Sequence, residues 1–120
     1  MANDEPDQVA ATMNSMSVKI AEFVPKLNGP NNYPEWSTEI QAYFGLIDVT
    51  EEYTIWDVIS GDYAKPEPVT KAWNKANGIA LLTIKKHCEP NIKARIESYT
   101  TAEAAYSDLL EAFEGKSVTE

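Results

Sequence analysis

Cysteine is nearly absent from this sequence: Cys88 stands alone in 120 residues. A single cysteine excludes an internal disulfide and fits a reducing compartment. Histidine is as scarce, with only His87. A zinc site needs about four ligands at useful spacing, and no Cys-x-x-Cys or His-x-x-x-His pattern supplies them. Basic charge is also short, at 10 Lys and Arg against 19 Asp and Glu, a net charge of -9. Such a field repels a phosphate backbone or an anionic membrane surface, so neither is an expected partner of this segment. No apolar run approaches the ~20 residues of a membrane span. The opening "MANDEPDQ" is acidic and polar, unlike a secretory or mitochondrial leader. No Asn-x-Ser/Thr acceptor occurs. A glycine-rich phosphate loop, a nucleophile elbow and a metalloprotease helix are likewise missing. The expectation is a soluble intracellular protein that is not an enzyme and takes no cofactor or metal.

What is present is apolar periodicity. Hydrophobic residues make up 43% of the chain, enough for one domain with its own core. Residues 1–24 read as an acidic N-terminal extension, disordered to about residue 8. From Val9 to Phe23 the pattern fits a helix, through Met13, Met16 and Ile20, or an extended arm, and "SVKIAEF" also fits a strand. Pro25 to Pro34 is a loop, in which Asn28-Gly29 favours positive φ. Pro34 then suits the first position of a helix. Trp36, Ile40, Tyr43, Phe44 and Ile47 follow as one apolar stripe.

A second helix is expected from Thr50 to Ser60, capped by Thr50 with Glu51 and Glu52 in its first turn. Tyr53, Trp56 and Ile59 face inward. A third runs from Pro68 to about Cys88. Trp73, Ala76, Ala80 and Ile84 form its stripe, and Ile79 and Leu82 widen it. Pro90 opens a fourth, with Ile92, Ile96 and Tyr99 inward. Thr100 and Glu103 form a capping box for the last helix. That helix buries Tyr106, Leu109, Leu110 and Phe113 and stops at Gly115. The fold class is therefore all-α: a compact bundle of five core helices over residues 25–115, with one further N-terminal helix or arm and a frayed tail at 116–120.

Candidate chemistry is thin. His87 and Cys88 are neighbours on a helix, about 100° apart, so they do not form a facing base and nucleophile. Asp48, Glu51, Glu52, Asp57 and Asp62 crowd one region, but they flank helix ends, where caps and solvated faces are the expected roles. An enzyme would need strongly shifted carboxylates near Asp48 or Asp57. Trp36, Trp56 and Trp73 lie on inward stripes, which predicts core packing. Lys85, Lys86, Lys93 and Arg95 form a basic cluster, either a solvated face or a contact for an acidic neighbour such as a second copy. Tyr33, Tyr53, Tyr63 or Tyr99 could instead line a groove for a partner peptide.

The stretch "KLNGPNNYPEW", with Leu27, Asn28, Gly29, Asn32, Tyr33 and Trp36, resembles the opening of the Gag polyprotein of copia-type LTR retrotransposons. The resemblance continues through Trp56, Val58 and Gly61, through Trp73, Asn77, Ala80 and Ile84, and through Ala102, Ala105, Tyr106, Leu109 and Phe113. It spans about residues 25–115. The segment "DVTEEYT" is longer than is usual in that family. The family's zinc knuckle, its enzymes and the second capsid lobe have no counterpart here. The resemblance implies a capsid N-terminal-type domain that self-associates into cytoplasmic virus-like particles. It also implies that RNA is packaged through other regions. A domesticated, Gag-derived peptide-binding module is the alternative. If the third helix is central, Trp73→Ala lowers stability by about 3–5 kcal/mol in denaturant unfolding; an unchanged midpoint would remove that helix from the core.

Overall fold

The structure is a computed structural model and describes residues 24–115. The ambiguity at Val9–Phe23 and the tail at 116–120 lie outside the described residues. Five helices follow in order: α1 (Tyr33–Gly45), α2 (Ile55–Ser60), α3 (Lys71–Lys86), α4 (Pro90–Ile96) and α5 (Ala102–Phe113). Among the described residues there is no sheet, only isolated bridges between Leu27 and Cys88 and between Asp48 and Thr54. The all-α bundle expected from periodicity is what forms.

α1 buries Tyr33, Trp36, Ile40, Tyr43 and Phe44, while Ile47, expected on the same stripe, is buried just beyond the helix end. Alone, a helix of 13 residues is marginal in water, so this packing rather than intrinsic propensity holds it. Asn32 precedes it but does not cap it. Its side chain works backwards: Oδ1 accepts from Asn28 N at 3.0 Å, and Nδ2 donates to Lys26 O at 2.9 Å. Gly29 takes φ 148° within this turn, a region side chains avoid.

The turn is clamped to the far end of α3. Leu27 N donates to His87 O at 2.8 Å, and Glu89 N donates to Leu27 O at 2.9 Å. Trp36 Nε1 donates to the same His87 oxygen at 2.9 Å. Carbonyls at a helix C-terminus lack partners within their own helix, and here the turn supplies them.

Several boundaries differ from the sequence expectation. α2 begins at Ile55, not near Thr50, because Thr54 and Asp57 form a reciprocal capping box. Asp57 Oδ2 accepts from Thr54 N at 2.8 Å, and Thr54 Oγ1 accepts from Asp57 N at 3.4 Å. Thr50 instead shapes a turn, in which Val49 N and Thr50 N both donate to Tyr53 O. α3 starts at Lys71, where Thr70 Oγ1 accepts from Trp73 N at 3.1 Å, and Pro68 lies outside it. α5 is capped by Thr101, not Thr100, which leaves Glu103 outside any capping box.

Two expected core positions are exposed. Leu82 is 70% exposed and Leu110 37% exposed. Leu82 points away because Trp73, Ala76, Ala80 and Ile84 set the inward face of α3 and residue 82 falls across the helix from Ala80. Trp56 and Phe113 are half-buried at the edge of the core, as is Tyr99 beyond the end of α4. Tyr33 and Tyr53, offered as groove residues, are buried instead. Tyr53 stacks on the half-buried Tyr63 at 3.7 Å.

α3 packs against α2, α4 and α5, and α2 packs against as many helices, α1, α3 and α5. Asn77 ties α3 to α5: Nδ2 donates to Thr100 O at 3.0 Å, and Oδ1 accepts from Ala102 N at 2.8 Å. Trp36 and Trp73 make a matched pair for a test. Trp73 Nε1 is buried with no hydrogen-bond partner among the described residues, whereas Trp36 Nε1 holds the clamp. Trp36→Phe therefore destabilises by about 1 kcal/mol more than Trp73→Phe, the net worth of one hydrogen bond, as read by chemical unfolding. Equal losses would mean that the clamp contributes nothing.

Candidate functional site

The His87–Cys88 pair serves the scaffold. His87 gives its carbonyl to the clamp, and its Nδ1 lies 2.9 Å from Thr83 O, a contact that requires the hydrogen on Nδ1. Cys88 is buried beside Leu27, and burial pushes its thiol up to about 12. The nucleophilic thiolate is thus suppressed at neutral pH. Among the described residues no group of three or more His, Cys, Asp or Glu could hold a metal ion. No described helix is long and apolar enough to cross a membrane.

The basic cluster is not one uniform patch. Arg95 is occupied: its Nε donates to Asp108 Oδ2 at 2.7 Å and its Nη2 to Oδ1 at 3.3 Å, which raises the guanidinium pKa. Lys85 Nζ reaches Glu97 O at 3.4 Å. Lys86 and Lys93 remain exposed to solvent.

A wider charge pattern emerges once the helices are placed. Lys71, Lys75, Lys85, Lys86, Lys93 and Arg95 all fall on α3 and α4, where Glu89 is the single acid between residues 71 and 96. From 97 to 115 the chain carries Glu97, Glu103, Asp108, Glu111 and Glu114 and no base. Along the chain, the charge of α3 and α4 is therefore basic and that of the α5 segment acidic. The signal lies in the grouping of charges by element rather than in any one residue.

A cleft of about 410 Å³ lies along α5. α1 supplies Ser37 and Gln41, α2 supplies Trp56 and Ile59, and the α5 side supplies Glu103, Tyr106, Leu110 and Glu114. Trp56 meets Tyr106 edge-on, with centroids 5.2 Å apart at 89°. Hydroxyls join α1 to α5 here: Tyr33 OH donates to Tyr106 OH at 3.4 Å, and Tyr106 OH donates to Ser37 Oγ at 3.1 Å. Burial, then the Tyr106 hydroxyl, raises the Tyr33 pKa well above the ordinary tyrosine range. Glu103 lies against Gly61, where a Cβ would come within 2.8 Å of its Oε2. Gly61 closes α2 at φ 87°, and this left-handed backbone is what demands glycine, since the end of the Glu103 side chain can move aside.

Comparison of the chain with protein-family models, curated proteins and solved structures gives no match.

The buried thiol sets a pH prediction. Its folded pKa, about 12, lies above the ordinary 9.0, so the folded chain keeps a proton that the unfolded chain releases. This contribution to stability is complete below pH 9 and is lost as pH rises from 9 toward 12. At pH 8 a thiol reagent should label Cys88 only after denaturant unfolds the chain. Rapid labelling of the native protein would show the thiol to be accessible.

Proposed function

We propose that this chain is a structural, non-enzymatic capsid-type domain of a Gag protein from a copia-type LTR retrotransposon. It contributes protein–protein contacts to a cytoplasmic virus-like particle, and other regions of such a Gag would package the RNA. The observation that carries this reading is what the resembling residues do. Leu27 and Trp36 converge on His87, Asn32 braces the turn, and Asn77 joins α3 to α5. The motif is thus spent on making a rigid brick. The opposite charge of the α3–α4 and α5 segments supports association of such bricks with one another. The acidic charge around α5 argues against an RNA contact there.

The cleft favours a second reading, a domesticated Gag-derived module that binds a peptide between α2 and α5. Light scattering coupled to chromatography separates the two. The capsid reading expects mass to grow with concentration across about 10 µM to 1 mM, since shell contacts are individually weak. A strict monomer over that range, with a bound peptide perturbing Trp56 and Tyr106, would replace it with the second reading.

A further inference from the structure

The outer row of α3 breaks local helix rules. Lys71 occupies the first helical position and Lys75 the next turn, against the positive end of the helix dipole. Gly78 sits in the helix interior, where glycine is unfavourable, yet a Cβ there would meet nothing within 4 Å. Packing inside the molecule therefore does not require that glycine. Leu82 lies 70% exposed on the same row, followed by Lys86. Residues 71, 75, 78, 82 and 86 share one face at helical spacing. Among the described residues the lysines of this row have no acidic partner.

The α5 edge of the cleft carries the matching pattern. Glu103, Leu110 and Glu114 follow the same steps, seven and then four residues, as Lys75, Leu82 and Lys86. Both rows span about 16 Å at 1.5 Å per residue. We propose that α3 of one copy docks alongside α5 of a second copy, parallel and in register, with Gly78 giving the room for close approach. Lys75 then meets Glu103, Leu82 meets Leu110, and Lys86 meets Glu114. An antiparallel arrangement pairs the charges but misaligns the two leucines. The contact uses two different faces, so a pair of copies leaves one α5 face and one α3 face free and the contact repeats from copy to copy. This deepens the assembly reading and rests on it.

The test is charge exchange, measured by sedimentation equilibrium of the full chain. Lys75→Glu with Lys86→Glu, and separately Glu103→Lys with Glu114→Lys, should each weaken association at least about tenfold. All four together should restore it. All four side chains are exposed, and thermal melts verify folding. Gly78→Gln is the second probe: it should melt at or above the wild-type temperature and still lose association. If the wild type associates and the double variants match it, or the fourfold variant fails to recover, this contact is wrong and the assembly reading stands. If the wild type is monomeric throughout, both fall together.

Discussion

Two N–H groups converge on the carbonyl oxygen of His87, one from Leu27 and one from Trp36. This oxygen closes the end of α3, fixes the turn that launches α1, and orients the indole at the centre of the bundle. Trp36 is fully buried, stacks near Tyr106 at 6.1 Å and tilts against Tyr33 at 6.0 Å. α1, α3 and α5 are therefore referenced to one atom. A buried carbonyl left without donors would be destabilising, so the arrangement is satisfied as a whole or not at all. The opening Leu-Asn-Gly turn makes sense on these terms. It returns the chain to the end of a helix that the ribosome has not yet made when the turn emerges.

Inside, local rules are obeyed. Thr54, Thr70 and Thr101 each cap a helix, and Asn77 satisfies the first N–H of α5. Outside, on α3, they are broken, by lysines at the positive end and a glycine with open space above it. Departures from local consistency concentrate where a protein meets something else. The same contrast explains why the lone histidine and cysteine, conspicuous in the sequence, turn out to be scaffold. Their backbone and burial are used, and their side-chain reactivity is not.

The legible parts were those that depend on neighbours three or four residues away. The stripes of α1 and α3, the stop at Pro90 and the basic character of residues 85–95 could all be read directly. Helix starts could not. Thr50 and Thr100 were read as the caps, whereas Thr54 and Thr101 are the threonines that face a free N–H once the loops are folded. Nor could exposure at Leu82 and Leu110, because leucine signals burial from either face of a helix until its neighbours are placed.

The sequence by itself thus determined the class, the five helices of the described residues and most of their inward faces, since hydrophobic periodicity is a local property. It determined the excess of acid but not its geography. Only the tertiary structure decided that Leu27 meets Cys88, that Trp36 spans 51 residues to reach His87, and that Arg95 is consumed by Asp108. Only there do Trp56, Tyr106 and Glu103 become walls of one cleft. The physical reason is distance along the chain. Contacts between remote residues follow from how amphipathic helices pack together, and no short window of sequence contains that information.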